Sequence, residues 1–215
     1  MTYLELVNAV LRRLRETEVA SVASTAYSKL IGDFVNDAKR QVEDSYNWNA
    51  LSETLTADTV HDLFNSVLVG SGQRFRVIDV INDTTNIVMQ NATTAQMDKW
   101  FLTRPLQKGA PRYYNFNGVN QYGDTQADLF PVPDATYSIR FNIIKPQDPF
   151  TEDTESILVP SEPVIFGAVA RALAERGEDG GIGSSEMYQL SRSSLGDAIA
   201  LESGRYIEEQ QWISW

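Results

Sequence analysis

The first hydrophobic pattern in the chain has helical spacing. Within residues 2–16, Leu4, Val7, Leu11 and Leu14 recur three or four positions apart, which places them on one face of a helix. Three arginines crowd the end of this segment, where cations interact favourably with the negative end of the helix dipole. We therefore expect the chain to begin with an amphipathic helix.

A second and wider apolar stripe follows the linker ETEVASVAS. Thr25 or Ser24 could cap its helix through a side-chain oxygen, and the pattern extends to about Tyr46. The stripe consists of Tyr27, Leu30, Ile31, Phe34, Val35, Ala38 and Val42. Charged residues lie mostly off this face, so the pattern predicts a second helix that packs with the first on a shared core.

From about Ser52 the apolar residues alternate with polar ones, a period typical of β-strands. Strands are predicted in LTADTV, SVLVG, QRFRVIDVI, TNIVMQ, PRYYNFN and LFPVPDATYSIRFNII. The last segment alternates most regularly and places Tyr137, Ile139, Phe141 and Ile143 on one face. The imperfect alternation in QRFRVIDVI predicts a bulge, and TTAQMDKWFLT predicts a short helix capped at Thr93 or Thr94.

Helical patterns return after a connector rich in proline and acid. Ser161 is expected to cap a helix that continues through VIFGAVARALAERGE, and GEDGGIG to end it. A last amphipathic helix is predicted from about Ser184 to Gln210. We therefore expect an α+β fold, in which residues 1–50 and 151–215 form a helical domain and residues 51–150 form an inserted, mainly antiparallel β domain.

Composition excludes several classes of site. The chain has no cysteine and a single histidine, His61, which excludes disulfides, thiolate zinc sites and multi-histidine metal sites. The net charge is −11, and from Thr151 onward twelve acidic residues stand against four basic ones. This balance argues against a basic face for nucleic-acid binding. No apolar run approaches the roughly 20 residues of a membrane helix, and we predict no signal peptide.

Two groups of carboxylates are the main candidates for enzymatic chemistry. One contains Glu152, Asp153 and Glu155, and the other contains Glu178 and Asp179. A hydrolase would need a cleft that separates the pKa values of two carboxylates, whereas both groups lie in loop-like segments that favour solvated acid. The glycine-rich segments lack the lysine of phosphate-binding loops. We therefore predict no enzymatic activity, no cofactor and no metal.

Aromatic residues indicate an alternative function. PRYYNFN, QYGD and WF in the β region could form a platform for a carbohydrate or another ligand, although aromatic residues in strands pack more often against their neighbours. The segment EEQQWISW raises a separate question, because burying one tryptophan is worth roughly 4 to 6 kcal/mol. We expect it either to fold back on its own domain or to dock on another protein.

Four segments together resemble a known family. They are TYLELVNAVLRRLRE, LIGDFVNDAKRQVEDSYNWNAL, LFPVPDATYSIRFNIIKP and ILVPSEPVIFGAVARALAERGED. In this order they resemble the head-to-tail adaptor proteins of short-tailed phages, the tail tubular protein A-like family. The likeness rests on the order and spacing of these patterns and extends over most of the chain.

The resemblance implies a structural protein of the virion neck that is assembled in the host cytoplasm. It implies a homo-oligomeric ring of about twelve copies, a closed symmetry common among oligomers, placed between the portal protein and the tail nozzle protein. Tail fibres would be a further partner. Double-stranded DNA would pass through the ring without specific binding, and like charge on an acidic wall would keep it mobile. No membrane partner is expected.

Candidate residues follow from this picture. A portal-docking tail would be anchored by Ile207, Trp212, Ile213 and Trp215, because buried aromatic anchors dominate many interfaces. Charged contacts between neighbouring subunits are expected at Arg12, Arg13, Lys39, Arg40, Glu43, Asp44, Arg171 and Arg176. Tyr46 and Trp48 are expected to fill the joint between the helical and β domains.

Overall fold

The computed structural model divides the chain into two compact units. Met1–Leu51 and Gln147–Trp215 belong to one unit, and Ser52–Pro146 forms the other. The structure describes residues 1–177 and 181–205. The first unit is helical and is assembled from two separate stretches of the chain, so it is named the helical unit here, and the second is named the β unit.

The two predicted N-terminal helices are both present. Helix α1 comprises Tyr3–Arg13, and a capping box holds its start because the Thr2 hydroxyl accepts from the Glu5 amide while the Glu5 carboxylate accepts from the Thr2 amide. Helix α2 comprises Ala26–Ser45. Of its two candidate caps the structure selects Thr25, whose hydroxyl accepts from the Ser28 amide. The predicted apolar faces of both helices are largely buried.

The described part of the helical unit contains two further helices, α4 and α5, and helix α3 belongs to the β unit. Helix α4 comprises Ser161–Arg176 and is followed by Gly177 in the left-handed conformation. The prediction that Ser161 caps it is wrong, because the cap position is Pro160 and no side chain satisfies the free amides there. Helix α5 comprises Ile182–Ser203. Helix α4 is central, since it contacts α1, α2 and α5.

The β unit contains eight strands in two four-stranded sheets. The strands are β1 (Ser52–Asp58), β2 (Asn65–Val67), β3 (Arg76–Asn82), β4 (Ile87–Val88), β5 (Gln90–Asn91), β6 (Tyr113–Val119), β7 (Thr125–Phe130) and β8 (Ser138–Ile144). The first sheet has the order β1-β8-β3-β4 and the second the order β2-β7-β6-β5. Every pair is antiparallel except β5 with β6.

The structure refines two of the strand predictions. The bulge expected in QRFRVIDVI is present as a register shift between Val77 and Asp79, where β3 pairs with β8. The segment TNIVMQ forms two strands in place of the predicted one. It changes sheets at Met89, whose side chain is buried, so β4 pairs with β3 and β5 pairs with β6.

One apolar core lies between the two sheets. The alternating residues Ile139, Phe141 and Ile143 of β8 contribute to it from the first sheet. The second sheet contributes residues such as Tyr114, whose ring meets that of Phe141 edge-on at a centroid distance of 6.2 Å. Alternation along a strand thus places one face of each sheet inside, as in a β-sandwich.

The outer face of the second sheet carries a short helix. Helix α3 comprises Thr94–Leu102 and is capped by Thr93, as one of the two predicted alternatives requires. Its Met97 is buried with Phe130 of β7 and Ala92. The chain therefore has a mixed α+β fold with terminal helices flanking a β region, which confirms the predicted fold class.

Candidate functional site

Two of the expected surface residues are buried inside the helical unit. Lys39 and Glu43 lie one turn apart on α2 and are 1% and 0% exposed. The Lys39 ammonium donates to the Asp148 carbonyl at 2.6 Å, and the Glu43 carboxylate accepts from the Gln147 amide at 3.2 Å. These side chains hold two parts of one chain together, and their expected contact with a neighbouring subunit stays a prediction.

Lys39 and Glu43 bind the backbone of Gln147 and Asp148, where the chain returns from the β unit to the helical unit. The Phe150 ring lies 4.0 Å from the Lys39 ammonium, a favourable cation–π distance. Asn36, on the same helix, exchanges two hydrogen bonds with the Phe150 backbone. Helix α2 therefore fixes this segment through a row of polar side chains. Sequence periodicity misses this role because the partners lie more than 100 positions away.

The arginines of α1 lie at its exposed end. The Arg12 guanidinium is 2.9 Å from the Glu18 carboxylate, and both side chains are more than half exposed, so this ion pair stabilises the fold by less than about 1 kcal/mol. The Arg13 guanidinium donates to the Ala9 carbonyl and lies over the Phe166 ring at 5.5 Å. Both cations are placed where another molecule could reach them.

The remaining charged candidates differ in how far they are exposed. Arg40 and Asp44 are exposed on α2. Arg171 is half-buried and donates to the Gly167 carbonyl and to Gln41. Arg171 therefore joins α4 to α2 and still presents part of its side chain to solvent.

Arg176 ties the end of α4 back to the start of the chain. Its guanidinium donates to the Glu16 carboxylate at 2.6 Å and to the Tyr27 hydroxyl at 2.9 Å. Burial would lower the pKa of Arg176, but these hydrogen bonds outweigh it and raise the pKa. Its chief contacts are thus within the helical unit.

Tyr46 and Trp48 follow directly after the last residue of helix α2, Ser45. Trp48 is 2% exposed, and its indole N–H donates to the Val42 carbonyl at 2.8 Å, which satisfies a carbonyl that the helix end would leave free. Tyr46 meets Trp48 edge-on at 5.5 Å between ring centroids. Their expected role in the joint between domains stays a prediction.

The acidic connector has a structural role that the sequence did not reveal. The Glu155 carboxylate accepts from the backbone amides of Thr151 and Glu152, and these two bonds lower its pKa. The Asp153 carboxylate accepts from the Val22 amide at 3.1 Å. These carboxylates thus shape a turn and fasten it to the segment before α2. Glu178 and Asp179 lie outside the described residues.

Helix α5 carries unusually many exposed apolar side chains. Of its 22 residues, Glu202 alone is buried in the described chain, and Ile182, Tyr188, Leu190 and Leu201 are 41% to 76% exposed. Glu202 accepts from the Asn49 amide and pairs with Arg205. A helix that covers so little of its own apolar surface is typical of an interaction surface.

Two grooves run along α4 and α5. The first, of about 520 Å³, is lined by Trp48, Pro163, Phe166, Leu190 and Leu201 among others. The second, of about 440 Å³, is lined mainly by small residues together with Arg171 and Tyr188. Leu190 and Tyr188 line different grooves, so α5 presents two separate faces beside α4.

The β unit contains one further pocket of interest, with a volume of about 500 Å³. Trp100 of α3, Tyr113 and Phe130 line it together with Lys108 and Arg112. The Trp100 ring stacks on that of Phe130 at 4.8 Å. This is the place where the structure brings together aromatic residues that the sequence suggested as a platform.

His61 lies at the surface beside an acidic residue. The His61 ring is exposed, and its Nδ1 lies 3.1 Å from the Asp62 carboxylate. Hydrogen bonding to Lys108 is the main cause that lowers the pKa of Asp62. Within residues 1–177 and 181–205, no group of three histidine or acidic side chains could hold a metal ion. None of the helices in that part of the chain is long and apolar enough to cross a bilayer.

The predicted tail residues Ile207, Trp212, Ile213 and Trp215 lie outside the described residues. The family model described as SU10 adaptor protein matches residues 1–209. A search of curated proteins found no significant match. The match supports a phage head-to-tail adaptor, whereas the narrower tail tubular protein A-like family has no support from it.

Proposed function

This chain belongs to the SU10 adaptor protein family, and on that premise we propose that it forms a ring between the portal protein and the tail nozzle protein. As a phage adaptor it is a structural protein of the virion neck that interacts with other head and tail proteins, and such a role requires no catalysis. In the proposed ring, of about twelve copies, the helical unit makes the contacts between subunits. The β unit offers attachment points for the nozzle and tail fibres.

The exposed apolar surface of α5 is the observation that carries this proposal. A surface-exposed leucine or tyrosine gains roughly 1.5 to 3 kcal/mol when a partner buries it fully. Helix α5 presents four such apolar side chains, of which Ile182 at 67% and Leu201 at 76% are the most exposed. A protein that assembles through its helices would cover them.

The face of α5 with Tyr188 is the best candidate for contact between subunits. Tyr188 shares a groove with Arg171, which the sequence had already suggested for such contacts. Small residues allow the backbone of a neighbouring helix to approach closely, and a central tyrosine beside an arginine is the composition of many binding hot spots. Arg12, Arg13, Arg40 and Asp44 add exposed charge that could fix the orientation of neighbouring subunits.

The net charge of −11 supports a passive channel for DNA. Acidic side chains on a channel wall would repel the phosphate backbone and avoid the counterion release that drives adhesion. Docking on the portal would use the tail with Ile207, Trp212, Ile213 and Trp215. Assembly would take place in the host cytoplasm.

Native mass spectrometry tests the ring. We expect the chain to form a closed oligomer alone or after mixing with the cognate portal protein, and Tyr188→Glu to abolish that oligomer. Leu158→Glu is the matched control, because Leu158 is also exposed in the helical unit, at 51%, but lies outside both grooves. A stable monomer under both conditions would contradict the proposal.

A carbohydrate-binding β module is the second candidate function. The observation that favours it is the pocket lined by Trp100, Tyr113 and Arg112, since an aromatic surface beside polar donors is typical of ligand sites. A saturable change of tryptophan fluorescence with a defined sugar, lost in Arg112→Ala, would support this function. A glycan screen without any binding would exclude it.

A further inference from the structure

The pocket beside helix α3 in the β unit has a wall that backbone hydrogen bonds hold in place. The Gly109 amide donates to the Val132 carbonyl, and the Val132 amide donates to the Gln107 carbonyl. The Arg112 amide donates to the Phe130 carbonyl at 2.9 Å. A pocket fixed in this way exists before a ligand arrives, which lowers the entropic cost of binding.

Three aromatic rings form the apolar part of this pocket. Tyr113 of β6 lies opposite Phe130 of β7, and the Trp100 ring lies 4.8 Å from each of them between centroids. Trp100 and Tyr113 are only partly buried. The rings therefore fix one another's positions and still offer apolar surface to a ligand.

Arg112 adds a positive charge beside this apolar surface. Its side chain is exposed and lines the pocket, and its guanidinium makes no hydrogen bond or ion pair with residues 1–177 or 181–205. The second cation of the pocket, Lys108, already pairs with Asp62 at 2.6 Å. Arg112 thus keeps a planar fork of N–H donors available for a ligand.

The charge of the surrounding sequence indicates what kind of ligand fits. Residues 99–123 contain four basic residues and no acidic one, in a chain whose net charge is −11. The basic residues are Lys99, Arg104, Lys108 and Arg112. A carboxylate can accept a pair of parallel hydrogen bonds from a guanidinium, whereas a neutral ligand would leave the charge unmatched. The pocket is therefore suited to a carboxylate that is attached to an apolar group.

The size of the pocket and the family of the chain favour a protein segment as the source of that carboxylate. A volume of about 500 Å³ is in the range of sites that enclose a small ligand, so it holds a few side chains. An acidic and an apolar side chain on neighbouring residues supply both groups at once. A phage adaptor interacts with other head and tail proteins, which provides such a partner.

We propose that this pocket binds an acidic segment of a partner protein, with a carboxylate on Arg112 and a neighbouring apolar side chain against Trp100. Such a site rests on the proposed adaptor function and gives the β unit one specific attachment point of known chemistry. The alternative carbohydrate module would use the same pocket without requiring a carboxylate on the ligand. The two occupants therefore differ in what the removal of charge does to binding.

Salt dependence follows from the position of Arg112. The guanidinium is exposed, and ions in solution screen exposed charges strongly within about 8 Å at physiological ionic strength. Binding that depends on an ion pair at this position should weaken as NaCl rises. Binding by apolar contact alone would not weaken in this way.

A pair of short peptides tests the proposal on the full chain. The probe is a blocked tripeptide with phenylalanine between two glutamates, and the matched probe has glutamine in place of each glutamate. Saturation-transfer NMR on the phenylalanine ring protons measures the dissociation constant. The test variant is Arg112→Gln and its control is Arg104→Gln, because Arg104 is exposed in the same basic stretch but does not line the pocket.

We expect saturable binding of the glutamate peptide and a dissociation constant that rises about ten-fold in Arg112→Gln, as the loss of a charge-assisted hydrogen bond implies. Arg104→Gln should change it by less than about two-fold, since a charge outside the pocket acts only through screened attraction. Arg112→Lys should give an intermediate value, because lysine keeps the charge but lacks the planar fork. This variant also shows that the effect does not come from misfolding.

Four results would each overturn the proposal. They are equal affinity for the glutamine peptide, equal effects of Arg112→Gln and Arg104→Gln, an affinity that does not fall as NaCl rises, and tighter binding of D-glucuronate than of the glutamate peptide. The last result would assign the pocket to an acidic sugar. The absence of saturable peptide binding would overturn the proposal as well.

Native mass spectrometry keeps this test separate from that of the ring. Arg112→Gln should assemble like the unmodified chain, because the proposed contacts between subunits lie in the helical unit. A ring without peptide binding would overturn only the pocket's assignment, and peptide binding without a ring would contradict only the ring. Loss of the oligomer in Arg112→Gln would overturn the assignment too, since Arg112 would then act between subunits.

Discussion

The ammonium of Lys39 lies 3.7 Å from the Glu43 carboxylate, one turn further along α2, with both side chains almost fully buried. Lys39 also donates to the Asp148 carbonyl, and Glu43 also accepts from the Gln147 amide. Each charge thus has a hydrogen-bond partner beyond the other charge. This satisfies the main condition under which a buried ion pair is tolerated.

Removing one member of this pair should be severely destabilising. Lys39→Met keeps most of the volume but leaves the Glu43 charge buried without its cation, so we expect a loss of about 3 to 5 kcal/mol in the free energy of unfolding. Urea denaturation measures it. The neighbouring exposed Arg40→Met is the control and should change stability by less than about 1 kcal/mol. Equal effects at the two positions would show that Lys39 is not buried.

Gly32 provides a steric prediction. A methyl group at this position would collide with the hydroxyl of the buried Tyr3 and come within 2.9 Å of Val22 Cγ1. Gly32→Ala should therefore destabilise the helical unit by about 1 to 3 kcal/mol, in spite of the better helix propensity of alanine. Tyr3→Phe removes the hydroxyl and should recover part of this loss in the double variant, as thermal denaturation of the four proteins would show. Strict additivity would contradict the proposed collision.

Gly196 should respond in the opposite way. It lies within α5, and beyond the backbone of that helix an added Cβ would meet no atom of the described residues within 4 Å. Gly196→Ala should stabilise the protein by about 0.5 to 1 kcal/mol, because alanine loses less backbone entropy in a helix. The measurement is the same denaturation experiment. A loss of stability would mean that another molecule occupies the space beside Gly196 in solution.

The Glu155 turn predicts a pH dependence. Hydrogen bonds from two backbone amides lower the pKa of Glu155 in the folded protein, so its ionised form favours folding. This contribution is present above the pKa of the unfolded chain, near 4.5, and is lost as pH falls through the lower folded pKa. Glu155→Gln should therefore flatten the stability profile below about pH 4.5. An unchanged slope of unfolding free energy against pH in this variant would contradict the assignment.

Local patterns predicted those elements whose residues make their decisive contacts nearby. The cap of α2, for which the sequence offered Thr25 or Ser24, depends on a residue three positions from Thr25, and the burial of Ile139, Phe141 and Ile143 follows from alternation alone. Both were predictable because their causes lie within one short segment. The α+β fold class follows from the order of these local elements along the chain.

Long-range pairing could not be predicted in the same way. Lys39 and Glu43 appeared to be surface charges because the backbone groups that bond to them belong to a segment that follows the β region in the sequence. TNIVMQ appeared to be one strand because the choice of sheet on either side of Met89 depends on two different partners. The exposure of the apolar side chains of α5 could not be predicted either, because an amphipathic sequence does not show how many neighbouring elements cover the helix.

The discontinuous helical unit has a consequence for synthesis on the ribosome. Helix α2 emerges early, but Lys39 and Glu43 have no acceptor or donor from residues 147 and 148 until the whole of Ser52–Pro146 has been translated. At about 5 to 20 residues per second this delay lasts several seconds. The β unit is therefore the first part of the nascent chain that can complete its fold. Until α4 has been translated, the apolar faces of α1 and α2 that α4 covers stay accessible to chaperones.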